Sequence, residues 1–439
     1  MISNSISPTT KNPFMLKRGI QKWDLVFLII NSVIGAGIFA LPAKVFALSG
    51  VYSLLAFGVC ALVMMVLILV FAEVSSRFDQ TGGPYLYVHT AFGPLPAFVI
   101  GWLLMLTRLF SYATLINLML IYLSFFSEVF AIPSVRIGMI VFITACITGI
   151  NLIGVKNTAK VSNTLTVAKL VPLAVFIIVG FFFVDFELLK FRSAPSLPDF
   201  SSAALLLIFA FGGFEAGLVN SGEIENPRKN LPFALMIAAA VITGFYILIQ
   251  VVSIGTLPEL AASDKPLADA ATGFMGWYGG MFITIGAVIS ILGTLNVQIL
   301  SGSRLPYALS LENQFPKFLS KVHPKFATPW VSILFFSSLV AFVAIVWGFM
   351  GSLAVSVISR LLLYAMVCAA LIKLRKTQPG DHYFKVPFGK SLAVLGILAT
   401  IWLLSGTQYE EIKDTLLWVG LGLGIYGIHH FTKRKKQNN

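Results

Sequence analysis

Long apolar stretches separated by short polar connections make up almost the whole chain. A helix that crosses the hydrocarbon core of a membrane takes roughly 17–25 predominantly apolar residues. We place twelve such stretches near residues 25–47, 51–75, 94–124, 136–154, 163–184, 202–220, 233–256, 276–302, 329–348, 351–373, 388–405 and 414–431. The pattern predicts an all-α polytopic membrane protein with twelve transmembrane helices.

Glycines interrupt two of these stretches near their middle. The first contains Asn31-Ser-Val-Ile-Gly-Ala-Gly-Ile-Phe39, and the sixth contains Phe209-Ala-Phe-Gly-Gly-Phe-Glu215. Glycine weakens a helix by roughly 1 kcal/mol relative to alanine, and lipid cannot hydrogen-bond the freed backbone groups. A single glycine pair is equally consistent with close helix packing. Two broken helices five stretches apart instead indicate a binding site between two structural repeats.

Stretches one to five and six to ten therefore form two sets, each opening with a broken helix. Because five is odd, the second set enters the membrane from the opposite side, which gives an inverted repeat. The predicted organisation is a cytoplasmic tail (1–23), a first repeat (24–184), a second repeat (185–375), two extra helices (376–432) and a basic tail (433–439). No separate soluble domain is expected.

Composition and charge agree with a membrane protein. Hydrophobic residues make up 57% and charged residues 11% of the chain, and the mean hydropathy is +0.89, whereas soluble domains are about a quarter charged. The net charge of +13 does not predict nucleic-acid binding, because most lysines and arginines fall in the tails and the even-numbered connections. The positive-inside rule then places both termini in the cytoplasm. We expect a bacterial inner-membrane protein whose basic face attracts acidic lipid.

Catalytic chemistry is not indicated. The five histidines fall in inner loops or near the chain end, and the three cysteines lie inside apolar stretches, without the spacing of a metal site or a nucleophile. We expect neither an enzyme nor a bound cofactor or metal.

Four groups of motifs carry a resemblance to a known family. They are Val33-Ile-Gly-Ala-Gly-Ile-Phe39; Thr81-Gly-Gly-Pro-Tyr-Leu-Tyr-Val88; Phe209-Ala-Phe-Gly-Gly-Phe-Glu215 with Glu225-Asn-Pro-Arg-Lys-Asn-Leu-Pro232; and Ser303-Arg-Leu-Pro-Tyr-Ala308 with His323-Pro-Lys-Phe-Ala-Thr-Pro329. In this order and spacing, the chain resembles the amino acid–polyamine–organocation permeases over nearly its whole length. The resemblance implies a LeuT-type fold with a 5+5 inverted repeat, broken helices 1 and 6, and alternating access.

The resemblance also implies that an amino acid is held between the two broken helices. Amides freed at Gly35, Ala36 and Gly37 suit its carboxylate, beside the positive end of a half-helix. Backbone carbonyls of both breaks suit its ammonium. Phe209 is expected to close over the substrate as a gate, although a packing aromatic is the alternative. The predicted substrate-binding positions are Ser32, Val33, Ile34, Gly35, Ala36, Gly37, Phe209, Ala210, Phe211, Gly212 and Gln298.

Lys169 lies deep in the fifth stretch. A charge at the bilayer centre costs at least roughly 2.5–3.5 kcal/mol, so it marks a functional site. In similar permeases a lysine here replaces a bound ion, and its ammonium is expected to bond carbonyls near Ile34 and also Ser290. Burial disfavours the charged form of lysine, so Lys169 is predicted to exchange a proton during transport. The alternative is a permanent cation that braces the helices.

Four further charges lie within apolar stretches, namely Glu73, Arg108, Glu215 and Arg360. The arginines are expected to pair with one of the two glutamates or to approach the substrate. Glu215 is a candidate to cap freed amides, carry a proton or attract a cationic substrate.

The sequence thus predicts a secondary active amino acid transporter. An apolar pocket favours neutral amino acids, with proton coupling or exchange. The alternative is an antiporter of cationic amino acids or polyamines. A channel and a sensor that binds amino acids without moving them are less favoured.

Overall fold

The computed structural model describes residues 21–35, 37–78, 83–153, 158–215, 224–311, 314–378 and 384–437. Most of these residues are helical and none of them forms a β-strand, which confirms the all-α prediction. In chain order the helices are α1 (Lys22–Val33), α2 (Gly37–Ser49), α3 (Ser53–Ser75), α4 (Gly83–Phe92), α5 (Pro94–Leu123), α6 (Pro133–Ile153), α7 (Thr158–Phe181), α8 (Leu197–Phe211), α9 (Pro227–Thr256), α10 (Pro266–Gly302), α11 (Arg304–Leu311), α12 (Trp330–Val346), α13 (Phe349–Thr377), α14 (Gly389–Leu404) and α15 (Tyr409–Gln437).

The sequence predicts twelve crossings, but fewer helices of the structure are long and apolar enough to cross a membrane. Six helical stretches within the described residues qualify, or seven if the bent pair of α14 and α15 forms one span. The described helices nevertheless overlap all twelve predicted stretches. The two numbers differ for three reasons. The apolar helices Val167–Phe181, Leu197–Phe211 and Trp330–Val346 are too short to qualify, α2 and α3 qualify together as one stretch from Gly37 to Ser75, and α14 and α15 qualify only as a bent pair.

Helices α5 and α13 lie at the centre of the bundle, and nearly all of α5 is buried. Small polar residues join the two helices. The Ser111 and Ser356 hydroxyls are 2.7 Å apart, and Ser356 Oγ also donates to the Thr107 carbonyl at 3.2 Å. Such small residues let helices approach closely and satisfy their hydroxyls without water. The periphery is different, since α6 exposes Val141, Phe142 and other apolar side chains.

An ion cluster ties the end of α3 to the end of α13. The buried Glu73 carboxylate accepts hydrogen bonds from Arg375 Nε at 2.7 Å, Arg375 Nη2 at 2.5 Å and Arg77 Nη2 at 3.2 Å. The Val386 amide adds a fourth at 3.0 Å. The sequence left Arg108 and Arg360 open as partners of Glu73, but neither of them pairs with it. Glu73 lies near the last turn of α3, within reach of Arg77, Arg375 and Val386.

Candidate functional site

The first helix break lies between α1 and α2. Ile34 ends α1 with φ −70° and ψ 87°, outside helical values, and its N–H still donates to Ile30. The Gly35 N–H turns back to the Val33 carbonyl at 2.8 Å. Ala36 lies outside the described residues, and α2 begins at Gly37. The break therefore frees carbonyls at the end of α1 and amides at the start of α2.

Lys169 on α7 binds two backbone carbonyls of this break. Its Nζ lies 2.8 Å from the Asn31 oxygen and 2.8 Å from the Ile34 oxygen, and the side chain is almost fully buried. The second partner expected from the sequence is not engaged, since Ser290 Oγ makes no hydrogen bond within the described residues. The ammonium thus occupies the position of a cation held by helix-end carbonyls.

The second break follows α8. Gly212 leaves the helix with ψ 154°, and Gly213 adopts φ 121°, a conformation that side chains rarely tolerate. A Cβ atom on Gly213 would lie 2.4 Å from the Ser32 carbonyl oxygen. The backbones of the two breaks therefore touch, and glycine is required for that approach.

The two broken helices also approach each other closely at a second point, about one helical turn away. A Cβ atom on Gly37 would lie 2.7 Å from Ala210 Cα, so the start of α2 packs directly on the last turn of α8. Predicted substrate positions from both broken helices are thus brought into contact. In this conformation the space between them is closed.

Tyr246 on α9 bridges the breaks, and sequence reasoning missed it. Its fully buried hydroxyl donates to the Ala210 carbonyl at 2.9 Å and lies 3.4 Å from the Val33 carbonyl. A buried tyrosine hydroxyl needs a partner, and helix ends offer free carbonyls. The only signal in the sequence was a tyrosine inside an apolar stretch, which does not identify its partners.

Glu215 folds back onto the second break. Its Oε2 accepts the Gly213 N–H at 2.9 Å and the Tyr364 hydroxyl at 3.3 Å. Arg360 Nε lies 3.5 Å from the other carboxylate oxygen. The structure therefore shows Glu215 in two of the roles that the sequence left open. It caps a freed amide, and it pairs with Arg360.

The Arg360 guanidinium covers Gly212. A Cβ atom on that glycine would lie 1.2 Å from Arg360 Nη1, so a larger residue would displace the guanidinium from this position. Arg360 Nε and Nη1 are buried and make no hydrogen bond within the described residues.

A small polar cavity lies beside the first break. Arg108 Nη1 donates to Gln298 Oε1 at 3.2 Å across it. Its walls come from α1, α5 and α10, and the lining residues are Asn31, Ser32, Arg108, Gly293, Thr294, Val297 and Gln298. The cavity holds little more than about one water molecule in this conformation. An amino acid can enter only if the helices around it separate.

The aromatic residues of the second break pack in different directions. Phe211 meets Tyr246 edge-to-face at 5.1 Å, whereas Phe214 packs against Phe71 and Tyr364, which also contact each other. Phe211 and Phe214 also line a second small cavity, which is apolar. Phe209 is buried, and its role as a gate stays a prediction.

Comparison with known proteins finds a matching family and several relatives. Residues 20–424 match the amino acid permease family. The serine/threonine exchanger SteT of Bacillus subtilis is 28% identical over 433 residues, covering 96% of this chain and 98% of its own. The branched-chain amino acid permease BcaP of Bacillus subtilis is 28% identical over 438 residues, covering 94% and 93%. The cystine/glutamate transporter of Homo sapiens is 29% identical over 396 residues, covering 87% and 78%.

These relatives are named as transporters, and the family match extends over most of the chain. The two helix breaks, their contact and the buried lysine all lie inside the matched residues. The protein therefore belongs to the amino acid permease family.

Proposed function

We propose that the protein is a secondary active amino acid transporter that works by alternating access. The observation that carries this proposal is the contact between two broken helices, where Gly213 meets the Ser32 carbonyl. Broken helices free backbone groups that bind polar substrates at membrane depth. Because these groups are packed together here, a substrate cannot reach them without helix movement, which favours a carrier over an open channel.

The substrate site of this proposal lies between the breaks. Amides at Gly35, Ala36 and Gly37 bind the substrate carboxylate, and carbonyls of Phe209, Ala210 and neighbouring residues bind its ammonium. Ala36 is outside the described residues, and the Gly35 N–H donates to the Val33 carbonyl in this conformation, so that hydrogen bond must break before Gly35 binds a carboxylate. Phe209 acts as the gate, and Gln298 lines the side-chain pocket.

The proposed membrane arrangement has twelve crossings as a 5+5 inverted repeat followed by two extra helices. The described helices overlap all twelve apolar stretches, and the breaks open each predicted repeat. Both termini lie in the cytoplasm by the positive-inside rule. The distribution of basic residues and the Bacillus relatives support a bacterial inner membrane.

Neutral amino acids are the favoured substrates over cationic ones. The side chains of Val33, Phe211 and Phe214 beside the breaks are apolar and offer no counter-charge to a charged substrate. A cationic substrate would need Glu215 as its counter-charge. The Glu215 carboxylate is already bound by Gly213, Tyr364 and Arg360. A cationic substrate or polyamine therefore lacks a free counter-charge in the described site.

Amino acid counterflow tests the proposed function. Proteoliposomes preloaded with one amino acid at a time are diluted into labelled substrate, with and without an inward proton gradient. Faster uptake with internal substrate is expected, because a carrier returns faster when loaded. A saturable conductance without this acceleration would indicate a channel, and binding without flux would indicate a sensor.

Lys169→Ala tests the coupling role of Lys169 in the same vesicles. Removing the ammonium leaves the Asn31 and Ile34 carbonyls without their partner, and an unsatisfied buried group costs about 1–3 kcal/mol. We expect loss of uptake driven by the proton gradient, while Lys413→Ala, at an exposed position, keeps it. Unchanged gradient-driven uptake by Lys169→Ala would refute proton coupling through this residue.

A further inference from the structure

A basic and apolar segment connects α11 to α12. Between residues 315 and 330 the sequence has no aspartate or glutamate, and a lysine recurs at every fourth position, each followed directly by an apolar residue. All six of these side chains are exposed, the apolar ones by 36–53% of their surface. Together they are called the lysine–apolar surface, which consists of Lys317, Phe318, Lys321, Val322, Lys325 and Phe326.

Local contacts hold this segment in a defined shape. Leu319 is buried beneath it. His323 closes a tight turn, because its Nδ1 accepts the N–H groups of Lys325 at 3.2 Å and Phe326 at 3.3 Å. The His323 N–H also donates to the Thr328 carbonyl at 2.8 Å. The exposed lysines and apolar side chains are therefore presented by an ordered backbone.

The segment is attached to the end of a lipid-facing helix. Thr328 Oγ1 donates to the Leu152 carbonyl in the last turn of α6 at 2.8 Å. Helix α6 is long and apolar enough to cross a membrane, and it exposes Ile150 and Ile153 near this end. Helix α12 begins at Trp330, directly after the segment. The lysine–apolar surface thus lies where membrane helices end, at the level of the lipid headgroups.

The surface has no negative partner within the ranges that the structure describes. None of its three lysines forms an ion pair with a described carboxylate, and Lys325 Nζ lies 5.5 Å from the centre of the Phe326 ring. Exposed lysines alone are ordinary. Lysines that alternate with exposed apolar side chains suit a ligand with both a negative and an apolar part.

We propose that the lysine–apolar surface binds anionic phospholipids at this edge of the membrane. The ammonium groups pair with lipid phosphates, while Phe318, Val322 and Phe326 insert at the boundary between headgroups and acyl chains. The lysine stems can lie along the apolar boundary with their charges in the headgroup layer. This site goes beyond the proposed function and does not depend on which substrate is transported.

Two lipids that differ in headgroup charge test the inference on the wild-type protein. The purified full-length protein in detergent is titrated with dioleoylphosphatidylglycerol or dioleoylphosphatidylcholine, and bound lipid is measured by native mass spectrometry. We expect the anionic lipid to bind at least about tenfold more tightly, because each lysine near an anionic headgroup adds to the affinity.

Variants separate this surface from a general attraction between charges. In Lys317→Gln/Lys321→Gln/Lys325→Gln we expect the affinity for phosphatidylglycerol to fall at least about tenfold, with an unchanged melting temperature. Replacing the same three lysines by arginine should preserve the affinity. The control Lys190→Gln/Lys413→Gln removes two exposed positive charges elsewhere and should also preserve it.

A double variant tests the apolar part of the surface. Phe318→Ser/Phe326→Ser keeps every charge and removes two exposed rings. We expect the affinity for both lipids to fall several-fold, because less apolar surface enters the lipid.

Four results would overturn the inference. Equal affinity of the wild-type protein for the two lipids would remove the anionic preference, and an unchanged preference in the triple glutamine variant would place the site elsewhere. An equal loss in the Lys190 and Lys413 control would indicate attraction by net charge alone. Displacement of phosphatidylglycerol by glycerol phosphate, which has no acyl chains, would assign the lysines to a soluble phosphate ligand. Each of these results would leave the proposed transport function standing.

Discussion

Tyr246 shows how single buried polar groups set the geometry of the site. Its hydroxyl donates to Ala210 on α8 and lies near Val33 on α1, so one side chain on α9 reaches both breaks. Lys169 does the same for two carbonyls within the first break. Because these backbone groups are buried, each such contact replaces hydrogen bonds that the broken helices have lost. The breaks are therefore fixed by a few residues outside them.

Tyr246→Phe is expected to weaken transport while preserving the fold. The change removes one buried hydroxyl and leaves the Ala210 carbonyl without this partner, at a cost of about 1–3 kcal/mol. We expect the apparent KM in counterflow to rise several-fold and the melting temperature to fall.

Tyr112→Phe is the matched control. Its hydroxyl is also buried and lies 2.9 Å from Thr144 Oγ1, between α5 and α6. It should lower the melting temperature without changing KM. Equal KM changes in the two variants would show that Tyr246 has no special role at the breaks.

At the scale of helices, the sequence located the breaks but not their partners. The glycines at 35, 37, 212 and 213 identified both interruptions, because glycine has a local backbone signature. The pairings of Glu215 with Arg360 and of Glu73 with Arg375 join residues far apart in the chain. Such pairings depend on how the helices pack, and several arginines were equally acceptable partners in the sequence. The local sequence pattern therefore predicts the helices and their breaks, but it does not predict contacts between residues that are far apart in the chain.

Gly37→Val tests the contact between the two broken helices. The added side chain collides with the backbone at Ala210, 2.7 Å from the position of its Cβ, so α2 and α8 must move apart. We expect uptake to be abolished while membrane insertion and expression persist.

Gly58→Val on α3 provides the control, because no atom lies within 4 Å of a Cβ there. Both variants add the same β-branched side chain to a helix, so they share its intrinsic helical cost. Normal uptake by Gly37→Val would mean that the substrate site lies elsewhere.

At the scale of the molecule, the number and direction of crossings decide whether the repeat is inverted. Twelve apolar stretches follow from the sequence, whereas length and composition of the described helices give six or seven. The difference arises because broken and short helices do not qualify singly, and because α14 and α15 meet at a bend of 119°. Hydropathy alone does not distinguish two crossings from one bent crossing.

Cysteine labelling tests this topology. In a background lacking the native cysteines, Glu410→Cys lies in the first turn of α15, next to the connection from α14, and Lys321→Cys lies between α11 and α12. With twelve crossings and cytoplasmic termini, a membrane-impermeant maleimide should label position 410 in intact cells, and position 321 only after permeabilisation. Labelling of both positions from one side, or protection of position 410 by hydrocarbon, would contradict the proposed arrangement.

A structure determined with a bound amino acid tests the central claim most directly. The ligand would be the amino acid that gives the strongest counterflow, added at saturating concentration. We expect it between the two breaks, with its carboxylate at the Gly37 amide and at a Gly35 amide released from the Val33 carbonyl, and its ammonium at carbonyls near Phe209 and Ala210. The contact between Gly213 and Ser32 should open in that state. A ligand bound elsewhere, with this contact unchanged, would contradict the claim that the breaks form the substrate site.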